Sequence, residues 1–399
     1  MSAYSRDDAG SFDVAIVGGG LIGGSLALAL ADSGLRLALI EASPRLEPDS
    51  HANHDWDSRI YAISPGSAAF LEQCEVWSKL DQARLQPVGD MQIWGDDPEA
   101  RLDFNAYQAG LPELAFIAES REIDRAIGLR LDAQENLRVL RPAICAAIRW
   151  HADGAEIQMQ DGTSLKAKLV VGADGGDSWV RAQADITVDS RDYAQRGVVA
   201  NFATGKPHGG IARQWFREDG VLALLPLPGQ RVSLVWSTGN DNAKYLLELS
   251  NDEFGEAVEQ ASRSALGKME ILSPPRAFPL RLQLVKQLVK PRVALIGDAA
   301  HNLHPLAGQG VNLGFQDARK LAAVLRNRGA QTDCGDYFLL RGYERARKEA
   351  ILAMQLTTDG LQKLFSKEGK ILSRLRNAGL TTTNRLNPLK KRLMQHALG

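Results

Sequence analysis

Short apolar runs that end in glycine recur along this chain, and the first of them spell strand, turn, helix, strand. Residues 12–17 read as a buried strand running into Gly18, Gly19 and Gly20. The spacing predicts a helix over 21–33, stopped by Gly34, and a second strand over 35–40 that ends at Glu41. This is a βαβ unit of about 30 residues. Residues 42–58 are polar and irregular, 67–83 look helical, and 91–94 look like a strand. Ile123, Ile127 and Leu131 share one face of a helix over 120–131. From 138 to 171 short runs alternate with turns, and Asp153-Gly154 and Asp161-Gly162 are hairpin signals. A strand over 169–171 then enters Gly172-Ala173-Asp174-Gly175.

The pattern changes between 186 and 283. Segments 198–202, 212–216, 221–226 and 232–237 alternate in the manner of strands, and 252–266 reads as a helix. A separate antiparallel sheet inserted into the first domain accounts for this. The strand-and-glycine pattern resumes at Val293, and beyond Asp317 the chain reads as mostly helical. The expected class is α/β (α+β): a Rossmann-like cofactor domain, an inserted antiparallel-sheet substrate domain and a C-terminal helical region. The expected boundaries are 1–185, with small excursions near 85–118, then 186–283, 284–340 and 341–399.

Composition narrows the function classes. A 399-residue chain with net charge -1 and 24% charged residues gives no reason to expect nucleic acid. Cys74, Cys145 and Cys334 are far apart and unpaired in sequence, which fits a reducing compartment better than disulfides or a zinc site. The polar N-terminus has no signal-peptide core, and no apolar run is long enough to span a bilayer. The expectation is a cytoplasmic protein. Charge is uneven, however: 361–399 carries nine Lys or Arg against one acid, Glu368. Such a run is either a solvated helical face or a basic surface for anionic lipid.

Two segments carry the chemistry. Gly18, Gly20 and Gly23 suit a tight turn, close approach to a pyrophosphate and close helix packing, with the helix N-terminus facing the anion. Glu41 stands where a carboxylate accepts hydrogen bonds from ribose hydroxyls, which favours FAD or NAD over a phosphorylated ribose. Far along the chain, Gly297-Asp298 ends a strand, Pro305 turns, and Gly308, Gly310 and Gly314 let a helix begin against something flat. Two such segments suit a long cofactor lying extended, and FAD is the natural candidate. Asp298 would then bond the ribityl chain. The helix starting near Gly310 would aim its positive end at the anion of a reduced flavin.

Four matches make a resemblance specific. They are Gly18 to Gly23 with Glu41; Asp57-Ser-Arg59-Ile-Tyr-Ala-Ile-Ser64; Gly172-Ala-Asp174-Gly175 with Ser178 and Arg181; and 297–317 nearly throughout. The chain resembles the flavin-dependent aromatic monooxygenases of the para-hydroxybenzoate hydroxylase fold. Tyr343-Glu344-Arg345-Ala-Arg347, Thr358-Asp359-Gly360 and Pro388-Leu-Lys390 are similar to the ubiquinone-biosynthesis hydroxylases in particular.

The resemblance implies FAD as cofactor, NAD(P)H as transient co-substrate, and transfer of one oxygen of O2 to the ring of a polyprenylated phenol. It implies that Arg59 lies near the flavin and the nicotinamide path, and that Arg121 contacts the pyrophosphate. Asp174 would sit by the FAD, and Val311 and Asn312 would join Gly308 and Gly310 against the ring. Pro305 would line the oxygen pocket. His301 and His304, three apart within the same motif, read as local packing or hydrogen-bonding residues, with His304 the candidate for touching substrate. Ser120 and Gln316 depart from the branch, which often has Asn and Arg there. Leu222, Leu224, Leu225 and Leu227 are candidates for the pocket wall or for ordinary core. The expected partners are the lipid substrate, the inner face of the cytoplasmic membrane through 361–399, and other ubiquinone-biosynthesis proteins. A prenyl reductase or halogenase of the same fold, or a flavin-binding scaffold, are the alternatives. His51 and His54 lie in a polar loop without a second ligand pair, so no metal is expected. Ser64 has no nucleophile-elbow context.

Overall fold

The computed structural model describes residues 10–44, 56–95, 97, 99–302 and 309–366. Among them, two large sheets and a small one organise the chain. The first sheet is built on Ser11–Val17, which pairs in parallel with Leu37–Ile40 on one side and Ser164–Gly172 on the other. Val293–Leu295 adds in parallel beyond Ser164–Gly172, and Leu137–Leu140 beyond Leu37–Ile40. Strands covered on both faces are apolar throughout, and the burial of 14–17 and 37–40 follows that rule.

Register fixes where the site must lie. Val17 stands opposite both Ile40 and Gly172, and Gly172 stands opposite Leu295. Four parallel strand segments therefore finish level, and Gly18, Glu41, Ala173 and Ile296 leave from one edge. In open α/β sheets ligands bind outside the carboxyl ends of the strands.

The second sheet runs from His301–Asn302 through Arg276–Val285, Val188–Thr204, Arg231–Gly239, Gly220–Leu227 and Ile211–Arg217 to Asp90–Trp94 and Arg101–Asn105. One face carries Val198, Ala200, Phe202, Leu222, Leu224, Leu234 and Trp236 under helices Asn240–Glu248 and Asn251–Ala261. Leu222 and Leu224 are thus core beneath these helices, not pocket wall. Strand alternation sends Leu225 to the other face, where it packs near Trp56, Ile60, Ala62 and Met91; Leu227 is fully buried in the same cluster.

Three helices end earlier than the periodicity predicts. The first spans Leu21–Ala29 and then tightens into single turns, with Ser33 N and Oγ both donating to Leu30 O. The expected 67–83 helix is Pro65–Gln73, N-capped by Ser64 Oγ on Ser67 N. It stops because Glu75 takes φ 55° and Val76 turns inward to full burial; Trp77–Lys79 and Gln82–Arg84 follow as isolated 3-10 turns. The helix expected over 252–266 is Asn251–Ala261, started by a Ser250–Glu253 capping box and ended where Arg263 and Ser264 take positive φ. Two longer helices follow, Gln309–Arg326 and Tyr337–Ser366.

Candidate functional site: a strand-end cofactor cleft

The four motifs, far apart in sequence, touch one another. Gly18 takes φ +103°, and a side chain there would lie 2.3 Å from Ala173 O and 2.8 Å from Asp174 N. The first motif is therefore pressed on the third. A Cβ on Gly23 would sit 1.9 Å from Gly18 O, so the turn and its helix close on themselves. A Cβ on Gly314 would meet Ile22 at 2.7 Å, which sets the fourth motif on the first helix. Asn312 joins the second motif to the fourth: its Oδ1 accepts from Ser64 N at 2.9 Å and its Nδ2 donates to Ala62 O at 2.8 Å. That side chain is a clip between segments, which leaves backbone as its means of facing a cofactor. Ser64 is a helix cap and backbone clasp.

Gly20 and Gly310 differ from these packed glycines. Outside its chain neighbours and its own helix, a Cβ on either would meet none of the described atoms within 4 Å. Described side chains and backbone therefore do not demand glycine there. Both sit at the start of a helix, and the helix after Gly20 has no side-chain cap. First-turn N–H groups are left for an anion at such an end. Glu41 reaches the same loop: one carboxylate oxygen accepts from Gly19 N at 2.6 Å and the other from Ser43 N at 2.8 Å. These are the features an extended FAD needs, and the residues fit it.

Asp298 follows Gly297 in the turn at the strand end. It is exposed to solvent, yet protein surrounds it closely enough that loss of bulk water raises its pKa. Exposure within enclosure is what a concave cleft produces. The charges of His301 and Arg59 pull the carboxyl back down, and that of Asp317 pushes it up. Arg59 itself is exposed, with its backbone N–H on Asp57 Oδ1. His304, Pro305 and Gly308 lie outside the described residues. Val311 is half-buried in the first turn of helix Gln309–Arg326.

Two buried ionic networks brace the cleft. Glu119, fully buried, accepts from Asp57 N, from the Arg84 guanidinium at 2.5 and 2.9 Å, and from Arg121 Nη2 at 3.0 Å. Asp57 in turn accepts from Arg121 N at 3.1 Å. Arg121 thus stands at the N-terminus of helix Ser120–Leu131 with its guanidinium on Glu119. On the other side, Asp317 takes His301 Nε2 at 2.6 Å, Gly297 N at 2.9 Å and Arg347 Nε at 2.6 Å. His301 is a structural partner of this buried carboxylate. Asp174 accepts from Ser178 Oγ and Val180 N, capping the short helix Trp179–Gln183. Arg181 from that helix donates to Gly176 O and Ala299 O, tying the third motif to the fourth.

Sequence reasoning passed over Glu119, Arg84, Asp317 and Arg347 as functional. The available signal was weak: Asp317 closes the fourth motif and Arg347 lies in a run similar to the ubiquinone branch. Among the described residues, no three His, Cys, Asp or Glu side chains gather as a metal-ligand set. No described helix is long and apolar enough to cross a membrane.

Level strand ends, an uncapped helix start after the glycine loop and a strand-end acid define a cleft for an extended dinucleotide cofactor such as FAD. A family profile described as an FAD binding domain matches residues 11–356. Ubiquinone hydroxylase UbiL of Rhodospirillum rubrum is 34% identical, over 97% of this chain and 89% of its own length. The 3-demethoxyubiquinol 3-hydroxylase of Escherichia coli is 34% identical, over 97% of this chain and 98% of its own. The chain belongs to this family of FAD-dependent ubiquinone-biosynthesis hydroxylases. The fold is shared more widely. PqsL of Pseudomonas aeruginosa, a probable FAD-dependent monooxygenase, has a TM-score of 0.77 at 24% identity, covering 94% of this chain and all of its own. HpxO of Klebsiella pneumoniae, complexed with FAD and uric acid, has 0.74 at 18%, covering 96% and 97%.

Proposed function

We infer that the protein hydroxylates the aromatic ring of a polyprenylated phenol on the route to ubiquinone, with NAD(P)H as electron donor and O2 as oxygen donor. The observation that carries this reading is the meeting of all four motifs at one strand-end cleft in a chain 34% identical to a ubiquinone hydroxylase along nearly its whole length. When bound, FAD supplies the redox chemistry that lets NAD(P)H electrons activate O2 for insertion into an electron-rich ring.

The chain's own part is binding, orientation and exclusion of water. The N–H groups after Gly20 receive the diphosphate, and Glu41 the ribose hydroxyls. Asp298 accepts from the ribityl hydroxyls. The start of helix Gln309–Arg326, with Gly310, Val311 and the Asn312 backbone, sets positive dipole beside the ring. Arg59 would supply positive charge near the flavin, Arg121 would act at the start of its helix with its guanidinium on Glu119, and Asp174 would border the cofactor. The second sheet's Leu225 face, with Met91 and Ile60, offers an apolar wall that keeps water from the reacting oxygen.

A polyprenylated substrate partitions into the bilayer. The reading therefore includes peripheral contact at the inner face of the cytoplasmic membrane through the basic region 361–399, or delivery within a complex of pathway proteins. Deleting the gene should cause one unhydroxylated prenylated precursor to accumulate, and restoring the wild-type chain should clear it. A deletion strain with an unchanged quinone profile would count against the assignment.

A further inference from the structure

Helices Gln309–Arg326 and Tyr337–Ser366 pack side by side, and a cavity of about 240 Å³ opens between them. Gln316, Arg319, Lys320 and Ala323 line it from the first helix, and Ala346 and Arg347 from the second. Positions 316, 319, 320 and 323 fall on one helical flank, so the lining is a continuous stripe.

Its charge is one-sided. Three of the six lining residues are cations and none is an acid. The nearby carboxylates are already engaged: Asp317 with His301 and Arg347, and Glu344 with Leu288 N and Arg341. Arg319 and Lys320 are exposed and make no ion pair with any described residue. Arg347, by contrast, is 5% exposed. Its guanidinium is held by Asp317 Oδ1, Gln316 Oε1 and Leu313 O, one bond from each nitrogen. A guanidinium has five N–H donors, so two remain. A fixed, buried guanidinium lining the same cavity as two exposed cations suits a ligand with several acceptor oxygens. The space is smaller than a drug-sized pocket and suits a small anion or a headgroup better than a nucleotide.

We propose that this cavity binds a phosphate group, either as free phosphate or as the headgroup of an anionic phospholipid. The site is separate from the flavin cleft and does not depend on which ring the enzyme oxidises. Two probes distinguish the sources, both applied to the FAD-loaded protein. Equilibrium dialysis with labelled inorganic phosphate reports the free anion. Flotation with phosphatidylcholine vesicles, with and without phosphatidylglycerol, reports the headgroup. The test variant is Arg319→Gln with Lys320→Gln; both residues are exposed, so folding and NAD(P)H oxidation should persist. A charge-preserving pair, Arg319→Lys with Lys320→Arg, is the control.

The proposal expects saturable phosphate binding that weakens roughly tenfold or more in the Gln pair and survives in the control. If flotation on phosphatidylglycerol falls in parallel and free phosphate competes with it, the headgroup is the occupant. If flotation is untouched while phosphate binding falls, the occupant is soluble. The proposal is overturned if the wild type binds neither probe. It is equally overturned if the Gln pair binds both as well as the wild type, which would leave Arg319 and Lys320 as a solvated face.

Discussion

Gly20→Val should yield a folded, colourless protein. Gly20 is exposed, has φ -71°, and a Cβ there touches nothing. The fold therefore loses only the difference between glycine and valine at a helix N-cap, about 1 kcal/mol. The branched side chain nevertheless fills the space where a diphosphate must approach the helix start. FAD affinity should fall on the order of 100-fold, about 2.7 kcal/mol. Gly23→Val is the informative contrast, because its Cβ would sit 1.9 Å from Gly18 O. That variant should lose stability before the question of cofactor arises. Absorbance of purified protein and FAD titration of the apoprotein separate the two. Wild-type FAD affinity in a folded Gly20→Val would show that the open space at Gly20 is not the diphosphate site.

Asp317→Asn should be among the most damaging single changes in the chain. Burial pushes the Asp317 carboxyl up, but the charge and hydrogen bond of His301 and those of Arg347 outweigh it and hold the pKa below the ordinary carboxylate value. Removing one partner from a buried ionic network leaves the others uncompensated, which costs about 3–5 kcal/mol. The sign of the pH dependence follows. A depressed carboxyl stabilises the fold above its unfolded pKa of about 3.9, and this contribution is lost as pH falls through the lower folded value. The gap in urea midpoint between Asp317→Asn and wild type should therefore be full at neutral pH and narrow only under acid conditions. The exposed Lys268–Glu270 pair is the control: Lys268→Gln should leave the midpoint unmoved, since both side chains are bathed in water. An Asp317→Asn midpoint equal to wild type at neutral pH would remove this network from the account of stability. The same variant should also loosen FAD, because Asp317 anchors Gly297 N directly before Asp298.

What could be read from sequence was local. The glycine loop, its flanking strands and the 297–317 segment show themselves because a strand period and a glycine need no distant partner. Helix ends were less legible. The turn after Ala29 depends on Ser33 reaching back to Leu30, and the break at Glu75 depends on Val76 finding a buried seat. The face of Gly220–Leu227 was not legible either. Alternation says that Leu222 and Leu224 share a face, but only the position of helices Asn240–Glu248 and Asn251–Ala261 says that this face is core. The ionic braces were hidden for a related reason. Glu119, Arg84, Asp317 and Arg347 look like solvated charge in a linear pattern, and only tertiary contact buries Glu119, Asp317 and Arg347 and half-buries Arg84 as supports of the cleft.

The central claim is that one cleft holds FAD and places one atom of O2 on a prenylated ring. The direct measurement is mass analysis of product formed by purified protein with FAD, NAD(P)H, a polyprenylated phenol and isotopically labelled O2. One labelled oxygen in the ring, with none acquired from labelled water, is the predicted result. Consumption of NAD(P)H without ring oxygenation of any prenylated phenol, or oxygen arriving from water, would contradict it.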